Sequence, residues 1–223
     1  MKKIISALCV LTMLFVQAVP AFAVDADSTD VCEGNVTIVS CPADISSDTV
    51  SDIQESICAF VSDTDGNKHP VDCEVAISEV TLIAARSVAE TEDESKTYAV
   101  KVAASTQKST PNSGGYNIND ISASATIIMI WTDRLGTDNS IDRLKGNLQV
   151  EKGTYTSSQI RWGSYHNQCR KTKTFSALNW DYAINYRPSQ EGIMNLGSLH
   201  AEYQNWFSNG KSFSICVSPT HFD

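Results

Sequence analysis

The sequence predicts an all-β protein, and three features of the 223-residue chain support this class. Apolar and polar residues alternate in several segments, Asn-Gly and Asp-Gly dipeptides separate such segments, and cysteines are spread along the chain. Alternation with a period of two is typical of a strand with one buried face. We therefore expect a C-terminal antiparallel β-sandwich, preceded by a smaller β-rich domain that disulfides cross-link.

The clearest strand lies in the stretch LNWDYAINYR. Its alternate residues should share one buried face, and these are Leu178, Trp180, Tyr182, Ile184 and Tyr186. Pro188 should end the strand because proline cannot donate a hydrogen bond to a neighbouring strand. Earlier in the chain, Ile127 to Trp131 is apolar on both faces, which suits a strand in the middle of a sheet.

Other strands are predicted from turns and flanking β-rich runs. Asn209-Gly210 should join the last two strands as a hairpin, and a two-residue loop would place Trp206 opposite Phe213. In the first half, the runs EVAISEVTLIAARSVAE and SKTYAVKVAAS flank the polar turn TEDE and should pair. Between residues 46 and 60 a short helix competes with a strand, because Val50 and Ile53 have helical spacing.

The stretch SDTDGNKHPVDCE combines the features of a calcium loop and of a turn. Its oxygen-bearing side chains fit the ligand positions of an EF-hand loop, and they are Asp63, Asp65, Asn67 and Glu74. Lys68 occupies the position where that loop needs glycine, and no helices are predicted beside it. We therefore favour a hairpin turn at Asp65-Gly66 and keep a calcium site as the alternative.

The cysteines predict disulfides rather than a metal site. Six of them follow the N-terminal leader, and an even number in an exported chain indicates disulfides. These candidates are Cys32, Cys41, Cys58, Cys73, Cys169 and Cys216. The Asp65-Gly66 turn lies midway between Cys58 and Cys73, so a disulfide could join these two if the loop length suits it, and the pairing among the first four cysteines stays open. Cys169 and Cys216 should pair in the second domain, and no C-x-x-C spacing suggests zinc.

The ends and the charge of the chain predict where it acts. Residues 1–23 read as a signal peptide, since two lysines precede an apolar run that is shorter than a membrane span. We expect a secreted, extracellular protein without a membrane span. Residues 24–105 are strongly acidic and the chain has a net charge of −9, so a nucleic-acid partner is not expected. A linker at residues 106–117 should separate this acidic domain from an aromatic-rich one at residues 118–223.

No catalytic set is predicted, and neither a metal nor another cofactor is expected. His200 and Glu202 share a strand face, but two ligands do not make a zinc site. His166 near Cys169 could form a base and a thiol nucleophile, although the disulfide is the preferred interpretation.

Aromatic residues supply the second functional clue. Most of them should fill the core, where large rings contribute much of the buried area. Trp162 and Tyr165 lie in a loop-like stretch beside a glycine, and they are the candidates for an exposed ligand-binding surface.

One segment resembles a known group of proteins. Ala123 to Gly163, which contains WTDRLGTDNSIDRLKG, resembles a motif in secreted β-rich proteins of Gram-positive bacteria that have no known activity. The resemblance implies export and a β-rich fold. Overall, we expect a non-catalytic extracellular protein that binds or adheres to a glycan, a peptide, another protein or an envelope surface. A secreted hydrolase whose site is assembled only in the fold is the alternative.

Overall fold

The structure is a computed structural model, and it describes residues 34–43, 45–80, 96–109, 120–133, 139–164, 170–188 and 199–218. These residues belong to one compact unit. The predicted signal peptide at residues 1–23 lies outside the described residues, as do Cys32, Tyr165, His166 and Cys169.

The described residues form eleven strands and one short helix. In chain order the elements are β1 (Val36–Ser40), α1 (Ser47–Glu55), β2 (Ile57–Ser62), β3 (Lys68–Glu79), β4 (Lys96–Ser109), β5 (Ser122–Asp133), β6 (Ser140–Lys152), β7 (Tyr155–Ser164), β8 (Arg170–Phe175), β9 (Asn179–Tyr186), β10 (Leu199–Phe207) and β11 (Ser212–Val217). The predicted all-β class is confirmed.

The strands form one curled sheet in the order β8-β7-β10-β11-β2-β3-β4-β5-β6-β9. Neighbours along this path are antiparallel, while β1 lies outside it and pairs with β3 in parallel. β5 lies between β4 and β6, so its apolar run occupies an interior strand as predicted.

One face of the sheet carries the core. Along β10 every second residue is buried, and these are Leu199, Ala201, Tyr203, Asn205 and Phe207. Directly opposite residues on neighbouring strands share a face, so the core continues through Phe213, Ile215 and Val217 of β11. Ring contacts join β8 to β9, which stand at opposite ends of the strand order. The core-bearing face is therefore the concave one.

Residues 46–60 contain both the short helix and the strand that were alternatives in the prediction. Ile53 is fully buried on α1, and the helix gives way to a turn in which the Ser56 N–H donates to the Ile53 carbonyl. β2 then begins at Ile57, which is buried on the concave face. The helical spacing therefore continues only to the end of α1.

β9 confirms the alternation predicted for it. Its even-numbered residues are buried or half-buried and its odd-numbered residues are exposed. Leu178, which was predicted to share the buried face, lies before the strand and is 42% exposed. Asn185 has a φ of 50°, a left-handed conformation that asparagine tolerates, and the register with β6 shifts beside it. Beyond this shift Tyr186 lies opposite Ile141, and both residues are buried.

Trp180 reaches the core because its cross-strand neighbour on β6 is Gly146. A Cβ atom at position 146 would lie 2.5 Å from Trp180 Cζ2 and 2.7 Å from the Thr126 carbonyl oxygen. Any larger residue at this position must therefore displace the indole or the β5 backbone.

Strands from the two predicted domains lie side by side. β4 pairs with β5, and β2 pairs with β11. β4 also continues through Ser109, into the predicted linker at residues 106–117, and residues 110–117 lie outside the described ranges. The predicted arrangement of a small domain followed by a β-sandwich is not confirmed.

The hairpins predicted at Asp65-Gly66 and Asn209-Gly210 are both present, and each has a three-residue loop. Phe207 N–H donates to the Lys211 carbonyl at 3.0 Å, and Asp63 N–H donates to the Asn67 carbonyl at the same distance. The last loop residue is a glycine in each hairpin, with φ values of 80° and 87°. This geometry is typical of a turn that ends in a bulge. The two-residue loop expected at Asn209-Gly210 was wrong by one residue.

The expected disulfide between Cys58 and Cys73 is wrong, because the register between β2 and β3 differs by one residue from the register that it requires. Ala59 lies opposite Val71, so Cys58 and Cys73 point to opposite faces of the sheet. The described cysteines are Cys41, Cys58, Cys73 and Cys216, and none is bonded to another of this set. The expected Cys169–Cys216 bridge includes a residue outside the described part of the chain.

We expect Gly146→Ala to destabilise the protein by about 1–3 kcal/mol, because the added methyl group overpacks the contact with Trp180. Urea unfolding followed by tryptophan fluorescence would measure this loss, and the emission of the folded state should also shift. Asn147→Ala, on the other face of β6, is the control and should change stability by less than about 0.5 kcal/mol. Equal effects of the two substitutions would contradict the packing assigned to Trp180.

Candidate functional site

The candidate site lies where the two ends of the curled sheet approach each other. β8 pairs with β7 on one side, and β9 pairs with β6 on one side. No described strand pairs with the other side of either. Side chains of Phe175, Trp180 and Tyr182 bridge the interval between β8 and β9. We call it the β8–β9 opening.

Aromatic rings line this opening. Phe175 of β8 lies 5.4 Å from Trp180 and 5.6 Å from Tyr182 of β9, measured between ring centroids. Trp180 and Tyr182 stack at 5.7 Å with an interplanar angle of 18°. Tyr203 of β10 packs against Trp180, and the centroids of the two rings are 5.0 Å apart. Such stacked and edge-on contacts hold the rings in defined orientations.

Two lysines of β8 face the same side as these rings. Lys173 is opposite Ile160, and Lys171 is opposite Trp162, so both lysines lie on the core-bearing face of the edge strand. Both side chains are nevertheless exposed, because β8 is at the end of the sheet. The Lys173 ammonium lies 3.6 Å from the centroid of the Tyr182 ring, a cation–π contact that positions the charge at the opening.

Trp162, one of the two aromatic residues singled out in the sequence, is half-buried and packs against the core. It stands on β7 between Lys171 of β8 and Ala201 of β10. Tyr165, the other predicted binding residue, lies outside the described ranges.

The lysines of β8 were missed in the sequence. The sequence pattern that could have revealed these lysines is the segment RKTKTF, in which Lys171 and Lys173 are two residues apart. This spacing puts both on one face of a strand, but the face became known only from the register between β7 and β8.

A buried polar cluster supports the floor of the opening. Ser158 donates to the Asn205 side-chain oxygen at 2.6 Å, and the Tyr155 hydroxyl lies 2.8 Å from Ser158 Oγ. Burial raises the pKa of Tyr203 to about 12, although the nearby Trp180 and Ser158 side chains act in the opposite direction. Tyr203 is therefore a neutral phenol at any physiological pH.

His200 and Glu202 lie on the other face of β10, away from the opening. Glu202 Oε2 is 3.6 Å from the Arg161 guanidinium, and both side chains are more than three-quarters buried. This pairing neutralises the carboxylate. Among the described residues, no group of three or more His, Cys, Asp or Glu side chains is arranged to hold a metal ion.

The stretch weighed as a calcium loop forms the β2–β3 turn. Asp63 accepts hydrogen bonds at 2.9 Å from the Asp65 and Asn67 backbone N–H groups and from the Asn67 side chain, and it lies 3.2 Å from His69 Nε2. The Asn67 side chain is the largest cause that lowers the pKa of Asp63 to about 2. Glu74 is far along β3, where it pairs with Ala103, so it does not join these residues.

We expect the stability of the protein to fall as pH decreases from about 4 to about 2 through Asp63. Its folded-state pKa is below the ordinary value of roughly 3.9, so the unfolded chain takes up the proton first. Thermal unfolding measured across this range should show a smaller acid-dependent loss in Asp63→Asn than in the wild type. Asp65→Asn, which retains the Asp63 carboxylate and its donors, should retain the wild-type dependence on this group. An unchanged acid profile in Asp63→Asn would contradict the role assigned to this carboxylate.

We expect a second pH-dependent loss at the alkaline end, caused by Tyr203. Its folded-state pKa is raised to about 12, whereas the unfolded value is roughly 10, so its contribution to stability is complete below pH ~10 and decreases above it. Urea unfolding at increasing pH should show that Tyr203→Phe lacks this contribution. Tyr182→Phe leaves Tyr203 in place and is the control. A wild-type alkaline profile in Tyr203→Phe would show that the phenol is not held protonated by the core.

Comparison with protein-family models, curated protein sequences and solved structures finds no match to this chain. Within the described ranges, no helix is both long enough and apolar enough to cross a bilayer.

Proposed function

We propose that this chain is a secreted, non-catalytic binding protein and that the β8–β9 opening binds an acidic glycan. The observation that carries the proposal is the Lys173 ammonium positioned over the Tyr182 ring, where β8 and β9 at the two ends of the strand order come together. Export is part of the proposal and rests on the signal peptide predicted at residues 1–23.

The chemistry of the opening matches that of a carboxylated sugar. A pyranose ring has an apolar face of C–H groups that can lie against an aromatic ring, and Trp162 is only half-buried. A carboxylate on the same sugar can accept hydrogen bonds from Lys171 and Lys173, which are exposed on the same strand face. One ligand can therefore satisfy the aromatic and the cationic parts of the site together.

The lysines of β8 determine that the ligand should carry a negative charge. β8 contains three basic residues and no acidic residue, although the chain as a whole has a net charge of −9. A local positive site on an acidic protein attracts an anionic ligand over a short range only, since salt screens the charge beyond about 10 Å. Recognition should consequently depend on contact with β8 rather than on long-range attraction.

The side chains of the opening are suited to binding. The rings are fixed by packing against each other, and the Lys173 position is fixed by Tyr182. Groups held in place before the ligand arrives lose little conformational entropy on binding. Binding to a glycan through such a surface requires no reacting group.

Binding of an oligogalacturonate to the purified protein, measured by isothermal titration calorimetry, tests the proposal. We expect measurable affinity for the acidic oligosaccharide and little for its methyl-esterified counterpart, which lacks the charge. Lys173→Gln should weaken binding by about tenfold or more, because a hydrogen bond to a charged group contributes about 1.5–3 kcal/mol. Trp162→Ala should weaken binding of the acidic oligosaccharide as well.

Lys101→Gln is the matched control. Lys101 is exposed on the convex face of β4, and its substitution removes the same charge from a different place. It should leave the affinity unchanged. Binding that is equal for the acidic and esterified oligosaccharides, or equal in Lys173→Gln and Lys101→Gln, would exclude the β8–β9 opening as an acidic-glycan site. Absence of binding to a panel of acidic glycans would favour a protein ligand instead and would overturn the proposal.

A further inference from the structure

A pair of cysteines that was not expected to meet lies on the convex face. Cys58 of β2 is directly opposite Cys216 of β11. Both side chains are half-buried, and both alternate with residues that face the core. The two side chains therefore share a face of the sheet, and each is partly exposed to solvent.

The hydrogen-bonding pattern sets the separation of the two residues. Ser218 N–H donates to the Ser56 carbonyl at 3.2 Å, and these residues are also opposite each other. In an antiparallel ladder, hydrogen-bonded and non-hydrogen-bonded pairs alternate, so Cys58 and Cys216 form a hydrogen-bonded pair. Their Cα atoms should lie about 5.5 Å apart, within the range that disulfides span.

The same face carries an ion pair beside the thiols. Glu202 of β10 is opposite Cys216, and Arg161 of β7 is opposite Glu202. The four side chains thus form one row across four adjacent strands. The Arg161 guanidinium lies 3.6 Å from the Glu202 carboxylate, so the acid next to Cys216 is charge-compensated. A thiolate at Cys216 therefore does not face an unpaired negative charge on its β10 side.

We propose that Cys58 and Cys216 form a reversible cross-strand disulfide by exchange with a low-molecular-mass disulfide. One of the two thiolates attacks a sulfur of the small disulfide, forms a mixed disulfide and releases one small thiol. The other cysteine then attacks the protein sulfur of that mixed disulfide, and the second small thiol leaves. The protein loses two electrons and two protons in total, and the small disulfide gains them as two thiols.

The position of the pair in the ladder makes this bond reversible. Opposite Cβ atoms in a hydrogen-bonded pair are about 5.5 Å apart, whereas a relaxed disulfide needs about 3.8 Å. The strands must approach or twist locally to form the bond, and a disulfide under strain is more easily reduced. The bond would join β2 to the last strand, β11, and would thereby close most of the folded chain into one loop.

Peptide mapping of the wild-type chain tests the pairing without any substitution. The purified protein is incubated with glutathione disulfide, the remaining thiols are alkylated, and the protein is digested without reductant. We expect a linked peptide containing Cys58 and Cys216, lighter by two hydrogens than the two thiol peptides together. Millimolar reduced glutathione applied to the folded protein should release both thiols for alkylation.

Two variants refine the test. In Cys58→Ser, Cys216 should be recovered as a thiol or as a mixed disulfide with glutathione, whereas Cys41→Ser should retain the Cys58–Cys216 link. A link between Cys216 and Cys169, or alkylation of both Cys58 and Cys216 after oxidation, would overturn the assigned pair. A Cys58–Cys216 link that resists glutathione in the folded protein would overturn its reversibility.

Discussion

The structure depends on the strict division of each strand into a concave and a convex face. Every strand pair must keep its register, because a shift of one residue exchanges the two faces. Residues as different as Tyr203, Ile215 and Ala59 meet on the concave side because they occupy matching positions on three neighbouring strands. Burial of this face is the main source of stability in such a sheet, since the hydrophobic effect scales with the apolar area removed from water.

The two candidate sites occupy opposite faces for the same reason. The β8–β9 opening uses side chains on the concave side of the last strands in the order. Cys58 and Cys216 lie on the convex side of strands in the middle of the order. A ligand at the opening and an oxidant at the thiols would therefore reach the protein from different directions. Residues beside both sites lie on the paired strands β7 and β10. Arg161 and Glu202 are on the convex face of this pair, next to Cys216, and Trp162 is on its concave face.

The local patterns in the sequence were sufficient to predict where the strands lie. They were not sufficient to predict which strands pair or in which register. The alternation in β9 was evident because large aromatic residues occupy every second position. Register, by contrast, depends on loop length, and an Asn-Gly or Asp-Gly dipeptide is compatible with loops of two or three residues. That single residue decides whether Cys58 lies opposite Cys73, whereas the pairing of Cys58 with Cys216 follows from the separate register between β2 and β11. The lysines of the opening were hidden for a related reason, because a basic segment reveals its spacing but not which neighbour it will pair with.

The tips of the β2–β3 and β10–β11 hairpins touch, since a Cβ atom added at Gly210 would lie 3.1 Å from Thr64 Cγ2. Asp120, just before β5, receives hydrogen bonds from Asn209 and Lys211, so a third segment is held at the same end of the molecule. Surface turns are usually the most permissive places for added sequence. Here, an epitope tag or an inserted domain at either tip would separate three segments at once, and evolutionary gain or loss of residues should be rarer there than in an ordinary turn.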